Sequence, residues 1–209
     1  MQAEQTRAAV LDAAQGLFAE LGWAGTSMRR VAEEAGVSME TVYAGFGSKR
    51  HLLAAVMDVA VVGDDLPMPL AQRDIALVLG VGTLKERVGK AASLSAAISS
   101  RTCELVQALI QGAATDTALA QRLAELDERR RGEIAHYFEQ VASRPPTPKQ
   151  LDEVWLLTSA EVFHMFVRRS GWTPEQHEQW LADRLLEITS AAPDDASRNR
   201  RKARPKELS

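Results

Sequence analysis

Apolar residues at Val10, Leu11, Ala14, Leu17, Phe18 and Leu21 recur in steps that keep them on one face of a helix. Gly22 follows, a residue that can take the left-handed conformation ending such a helix. Ser27 can cap a second, shorter helix by accepting from its free N–H groups. That helix carries Met28, Val31, Ala32 and Ala35 on one side and stops at Gly36. Ser38 caps a third, with Val42 and Phe46 facing inward; Gly47-Ser48 ends it and opens a fourth, whose apolar positions include Leu52, Leu53, Val56 and Met57.

Gly63-Asp-Asp-Leu-Pro-Met-Pro69 interrupts the pattern and marks a domain junction. Beyond it, the spacing predicts helices near 69–79, 83–112, 117–142, 149–169 and 174–190. Gly80-Val-Gly82, Asp116, Arg144-Pro-Pro-Thr-Pro148 and Gly171-Trp-Thr-Pro174 mark the breaks between them. No segment alternates with period two, so the expected fold is all-α. From Arg198 onward six cations stand against Glu207 without apolar periodicity, which predicts a basic disordered tail. The chain divides accordingly into residues 1–62, 63–192 and 193–209.

Composition narrows the function less than the pattern does. The 209 residues are 45% hydrophobic and 25% charged, enough for a sizeable core. Net charge is −3, and residues 1–60 hold five basic against seven acidic side chains, so any nucleic-acid contact must come from locally placed cations. The single cysteine, Cys103, excludes an intramolecular disulfide framework and suits a reducing cytosol. No apolar run of 18 residues is present, and the N-terminus has no signal-like apolar region. A cytoplasmic protein without membrane contact is expected.

The segment Ser27–Lys49 carries the most information. Two short helices around a glycine turn can form a DNA-reading unit. Ala32 and Gly36 allow the helices to approach, and Val31, Val37, Val42 and Phe46 can fill the core beneath. The second helix then presents Met39, Glu40, Thr41, Ala44 and Gly45 outward, toward a groove wide enough to admit it. Tyr43 and Lys49 would lie at the groove edge, where phenol and ammonium groups bond phosphates. The helix starts at Ser27, Ser38 and Ser48 add N–H groups suited to phosphate. A plain all-α core reads the same residues without DNA.

The run Thr26-Ser-Met-Arg-Arg-Val-Ala, then Ala35-Gly-Val-Ser, then Thr41-Val-Tyr-x-x-Phe-x-Ser-Lys-x-x-Leu52 resembles the DNA-binding domain of the tetracycline-repressor (TetR) family. The upstream Leu17-Phe18-x-x-x-Gly22-Trp-x-x-Thr26 fits the same pattern, so the resemblance covers about residues 5–60. It implies a homodimeric, ligand-responsive repressor that reads a palindromic operator through its N-terminal three-helix unit. A larger C-terminal helical domain would serve ligand binding and dimerisation. Carried over by position, the DNA contacts are Ser27, Arg29, Met39, Thr41, Tyr43 and Lys49, with Ser38 and Glu40 at the start of the reading helix. Family members often have a polar side chain where this chain has Ala44-Gly45. Glu40 could accept from a cytosine amino group or repel phosphate.

The stretch from Trp155 to Pro174, followed by Trp180-Leu-Ala-Asp, resembles the last two helices of many actinobacterial-type members, which form a four-helix bundle across a two-fold axis. Their apolar faces would be Val154, Leu157, Val162, Met165 and Phe166 on one helix and Trp180, Leu181, Leu185 and Ile188 on the other, more than one buried stripe needs. Thr158 interrupts the first face. A ligand pocket is expected between the helices at 83–112, 117–142 and 149–169, with Cys103, Gln107, Tyr137, Trp155 and Phe163 as candidate lining.

Glu133-Ile-Ala-His136 and Glu161-Val-Phe-His164 repeat the Glu-x-x-His spacing of di-iron helical bundles. Such a site needs two further carboxylate donors, and only Glu104 suggests itself. No nucleophile–base order, phosphate loop or cysteine metal spacing occurs. The expectation is therefore no metal, no cofactor and no enzymatic activity, with a helical metalloenzyme as a remote alternative. An activator, or a broad-specificity DNA binder built on the same domain, is the nearer one.

Overall fold

The computed structural model describes residues 2–63 and 78–191. The predicted helix at 69–79 lies largely outside these residues, as does the predicted tail. Among the described residues the fold is all-α, without strands.

Helix α1 spans Gln2–Gly25 and is broken at Gly22, whose φ of 65° and ψ of −168° interrupt the helical ladder. The interruption frees carbonyls that need donors. Thr26, 2% exposed, supplies one hydroxyl to both Leu17 O (3.0 Å) and Gly22 O (2.9 Å). Helix α2 covers Met28–Glu34, α3 Met39–Phe46 and α4 Lys49–Val62. Each starts at the expected serine: the hydroxyls of Ser27, Ser38 and Ser48 accept from the N–H of Arg30, Thr41 and His51. Gly36 takes a φ of 66° between α2 and α3, and Val37 N–H closes on Ala32 O at 3.0 Å.

The second half comprises α5 (Leu84–Ala113), α6 (Thr117–Ala142), α7 (Pro148–Leu157), α8 (Ala160–Phe163) and α9 (Pro174–Ser190). Thr83, Thr147 and Thr173 each form a reciprocal capping box with the side chain three residues on. Asp116 caps α6 by accepting from Ala118 and Leu119 N–H.

The helix expected over 149–169 is not continuous. It ends at Leu157, restarts at Ala160 and turns into a π segment over His164–Arg169. Thr158 Oγ1 donates back to Val154 O at 2.7 Å, while Ser159 caps the new start by accepting from Val162 N–H. The cause is tertiary. The Arg130 guanidinium on α6 donates to the Trp155 carbonyl and to Thr158 Oγ1, taking the place of the next intrahelical donor.

One apolar core runs through α1–α4 and continues into Leu105, Ala108 and Leu109 of α5 and Leu119 of α6. A second joins Val88 and Ala92 of α5 with Phe138, Val141, Val154, Leu181 and Leu185. Helix α5 thus belongs to both cores and ties the two halves together. The contact is close at Gly112, where a Cβ would lie 2.5 Å from Leu119 Cδ1 and 3.0 Å from the Trp23 ring.

Candidate nucleic-acid interface and adjoining cavity

Helix α3 buries only Val42 and Phe46; Ser38, Met39, Glu40, Thr41, Tyr43, Ala44 and Gly45 are exposed. Met39 and Tyr43 keep 41% and 46% of their surface in water, high for large apolar groups on so short a helix. Thr41 is pinned at the helix start, its hydroxyl 3.1 Å from Ser38 Oγ and its N–H on the same oxygen. Its own backbone N–H and the Ser38 hydroxyl hold the Glu40 carboxyl below its ordinary value. It is therefore a charged acceptor at the tip of the exposed face. That face can accept from a cytosine amino group and make apolar contact with a thymine methyl.

The cations are arranged differently from the sequence expectation. Arg29 is exposed but pairs with Glu33 at 2.9 Å along its own helix. Lys49 turns inward: its ammonium donates to the Trp23 carbonyl and lies 4.0 Å from the centre of the Trp23 ring, and burial lowers its pKa. Ser27 is exposed and occupied with its capping bond. Two cations that the motif did not single out stand close by. Arg7 on α1 lies 4.8 Å over the Phe46 ring at the end of α3, and Arg30 is exposed on α2 with one bond to Gly25 O. Arg7 is far from α3 in sequence, so nothing in the local pattern could have paired them.

Helix α4 links this unit to the second half. Arg101 on α5 donates to the carbonyls of Ala60 (2.8 Å) and Val61 (3.3 Å) at the α4 C-terminus. Arg50 at its N-terminus reaches Asp116, the cap of α6, at 3.3 Å. Between these ties Met57 and Val61 form part of the wall of a cavity of about 270 Å³, completed by α5, α6, α7, α8 and α9.

Of the five candidate pocket residues only Tyr137 lines this cavity. Cys103 is fully buried beside it with Phe163 and Val167. Burial, and then Glu104, push its thiol up to about 12. The Trp155 ring faces Arg130 and Arg131, at 5.4 and 5.8 Å from its centroid, and Gln107 is half-buried off the lining. The lining instead includes Ser95, Ser99 and Thr102 of α5 and Asp127, Arg130 and Glu133 of α6. These sit at helical spacing that looks like an ordinary half-polar face in sequence.

Glu133 and Glu161 both face the cavity and are not joined by the two histidines as a ligand set. Among the described residues the one gathering of such groups is Cys103, Glu104 and His164, and there Arg168 already neutralises Glu104 at 2.5 Å.

The expected interface residues divide into two sets. Leu181, Leu185 and Val154 are buried in the second core, leaving no surface for another chain. Met165 is 55% exposed, and Leu157, Val162, Phe166, Trp180 and Ile188 are half-buried. Phe166 and Trp180 pack on each other at 4.6 Å and on Trp172 at 4.5 and 6.4 Å.

Residues 10–56 match the family model described as bacterial regulatory proteins, tetR family. An HTH-type transcriptional repressor of Mycobacterium tuberculosis is 33% identical over 115 residues, covering 47% of this chain and 61% of the relative. The chain thus spans less than two thirds of that relative's length. A Rhodococcus sp. structure assigned to the TetR-family transcriptional regulators superposes with a TM-score of 0.68 at 19% identity, over 90% of this chain and 100% of its own. The TetR-like regulator LfrR from Mycobacterium smegmatis, solved with proflavine, gives 0.56 at 18% identity, over 92% and 99%. These distant structures share the fold. Residues 10–56 thus match the tetR family of bacterial regulatory proteins, and the chain as a whole has the fold of these regulators.

Proposed function

We propose that the chain is a transcriptional repressor that binds a palindromic operator as a homodimer and is released from it by a small molecule. The observation that carries this reading is the double role of α4. Its N-terminus continues from the reading helix, and its Met57 and Val61 form wall of the cavity. A molecule that fills the cavity in one position of α4 and not in another shifts the population between them. Two reading helices in a dimer must meet successive major grooves, about 34 Å apart, so a small shift of α4 is enough to lose the match.

The reading unit is residues 1–62, the effector and dimer unit 63–192. DNA contacts are assigned to Ser27, Ser38, Met39, Glu40, Thr41 and Tyr43, with Arg29 and Lys49 available on release from their present partners. The partner face of the dimer is assigned to Leu157, Val162, Met165 and Ile188 together with the Phe166–Trp180 pair. No catalytic step is assigned, and a DNA target places the protein in the cytoplasm. No described helix is long and apolar enough to cross a membrane.

Selection of bound fragments from random duplex DNA, followed by footprinting, tests the reading. A single inverted repeat protected by a dimer is expected. Protection without two-fold symmetry, or spread evenly over DNA, would overturn it in favour of a broad-specificity binder. A fall in target transcription on deletion of the gene would make the protein an activator.

A further inference from the structure

The cavity wall is apolar over most of its extent, yet three carboxylates and two guanidinium groups open onto it: Asp127, Glu133 and Glu161 with Arg129 and Arg130. Their charges do not cancel; one negative charge is in excess. Arg129 lies 4.0 Å from Glu133 and accounts for one pair. Arg130 spends its hydrogen bonds on neutral acceptors, the Trp155 carbonyl and Thr158 Oγ1 at 3.0 Å, and leans on the Trp155 ring.

Asp127 and Glu161 are left over. Among the described residues neither carboxylate makes a hydrogen bond or an ion pair, though both feel the charge of Arg130. Burial, and then the charge of Glu161, push the Asp127 carboxyl up. Two carboxylates facing one cation in a partly dry site leave a negative charge uncompensated, and the raised Asp127 carboxyl carries the cost of it. An anion entering this cavity adds to the cost, a neutral molecule leaves it in place, and a cation removes it.

We infer that the cavity takes an apolar molecule bearing one positive charge, a protonated amine or a delocalised aromatic cation, with Asp127 and Glu161 as its counter-ions. This rests on the cavity being the effector site proposed above and names the chemical class that site selects. The remaining wall suits the rest of such a molecule. Leu94, Ile98, Val106, Leu126 and Ile134 offer apolar contact, and Tyr137 and Phe138 bring aromatic rings that cations favour. A volume of about 270 Å³ fits a phenylalkyl or small polycyclic body rather than a long lipid.

Calorimetric titration of the full chain with phenylbutylamine, phenylbutanol and phenylbutyrate tests this without DNA. The three probes share one apolar body and differ in charge. The amine should bind at least about tenfold more tightly than the alcohol, and the carboxylate should not bind. Asp127→Asn with Glu161→Gln keeps the shapes and should bring the amine down to the alcohol's affinity while leaving the alcohol unchanged. Glu161→Gln alone supplies the same comparison if the double variant loses its helical circular dichroism. Equal or tighter binding of the alcohol or carboxylate, no binding of the amine, or an unchanged preference in the variants would overturn the inference. Because no DNA is present, failure to find an operator would leave a positive result standing, and a confirmed operator would not rescue a negative one.

Discussion

The Lys49 ammonium donates to the backbone carbonyl of Trp23 and sits 4.0 Å from the centre of the Trp23 indole ring. A residue whose place in the motif suggests a phosphate contact is also a strut across the corner between α1 and α4. Replacing Lys49 by Ala leaves a carbonyl without its partner and should cost about 1–2 kcal/mol of stability. Tyr43 is exposed, so Tyr43→Ala should leave the melting temperature unchanged and weaken operator binding about tenfold through a lost phosphate contact. Thermal unfolding alongside a DNA titration separates the two. If Lys49→Ala melted like the parent, the strut would carry no weight.

Asp116 has two tasks: capping α6 and pairing with Arg50. They differ in energy. Asp116→Asn keeps the capping oxygen and removes only a largely exposed ion pair, so it should leave stability nearly unchanged. Asp116→Ala removes the cap as well and should destabilise the protein more than Asp116→Asn does. Denaturant titration of the two variants checks the order; equal losses would mean that the ion pair dominates.

Gly112 is where α5 passes against Trp23 and Leu119. Its φ is helical, so an added Cβ is disfavoured by space alone. Gly112→Ala should destabilise the protein by about 1–3 kcal/mol by overpacking, despite the better helix propensity of alanine. A raised melting temperature would show that the Leu119 and Trp23 side chains yield freely.

His177 is 1% exposed, touches Phe163 at 4.9 Å between ring centroids, and has no hydrogen-bond partner for either ring nitrogen. Burial lowers its pKa from the ordinary 6.5. The unfolded chain therefore takes up a proton at a pH where the folded chain does not. The stability linked to this ring is complete above pH 6.5 and is lost as pH falls below it toward the folded value. The slope from one such proton is up to about 1.4 kcal/mol per pH unit. His177→Phe should flatten the melting-temperature profile below pH 6.5, where the parent's falls. An unchanged slope in the variant would assign the acid limb to other groups.

Helix starts were legible because their cause is local. Serine or threonine before an apolar-periodic run supplied caps for α2, α3, α4, α5, α7 and α9, and the predicted limits of 117–142 and 174–190 match α6 and α9. The break at Thr158–Ser159 was not legible. It depends on Arg130, a residue of another helix, taking the carbonyl that α7 would need in order to continue.

The same distinction holds for the site. Order and spacing from Thr26 to Leu52 are enough to define the reading unit, since turn, caps and small core are all made by residues close in sequence. Which cations face outward was decided by packing: Lys49 bends to Trp23 and Arg7 comes over Phe46. The cavity was decided by packing too. Its charged wall draws Asp127 from α6 and Glu161 from α8, while Cys103 and Phe163 fall into a neighbouring cluster. By itself the sequence determined an all-α chain with a helix-turn-helix near its start, because both follow from short-range periodicity and capping. Only the tertiary structure decided which faces meet and which charges stay unpaired, because those contacts join residues that no local pattern relates.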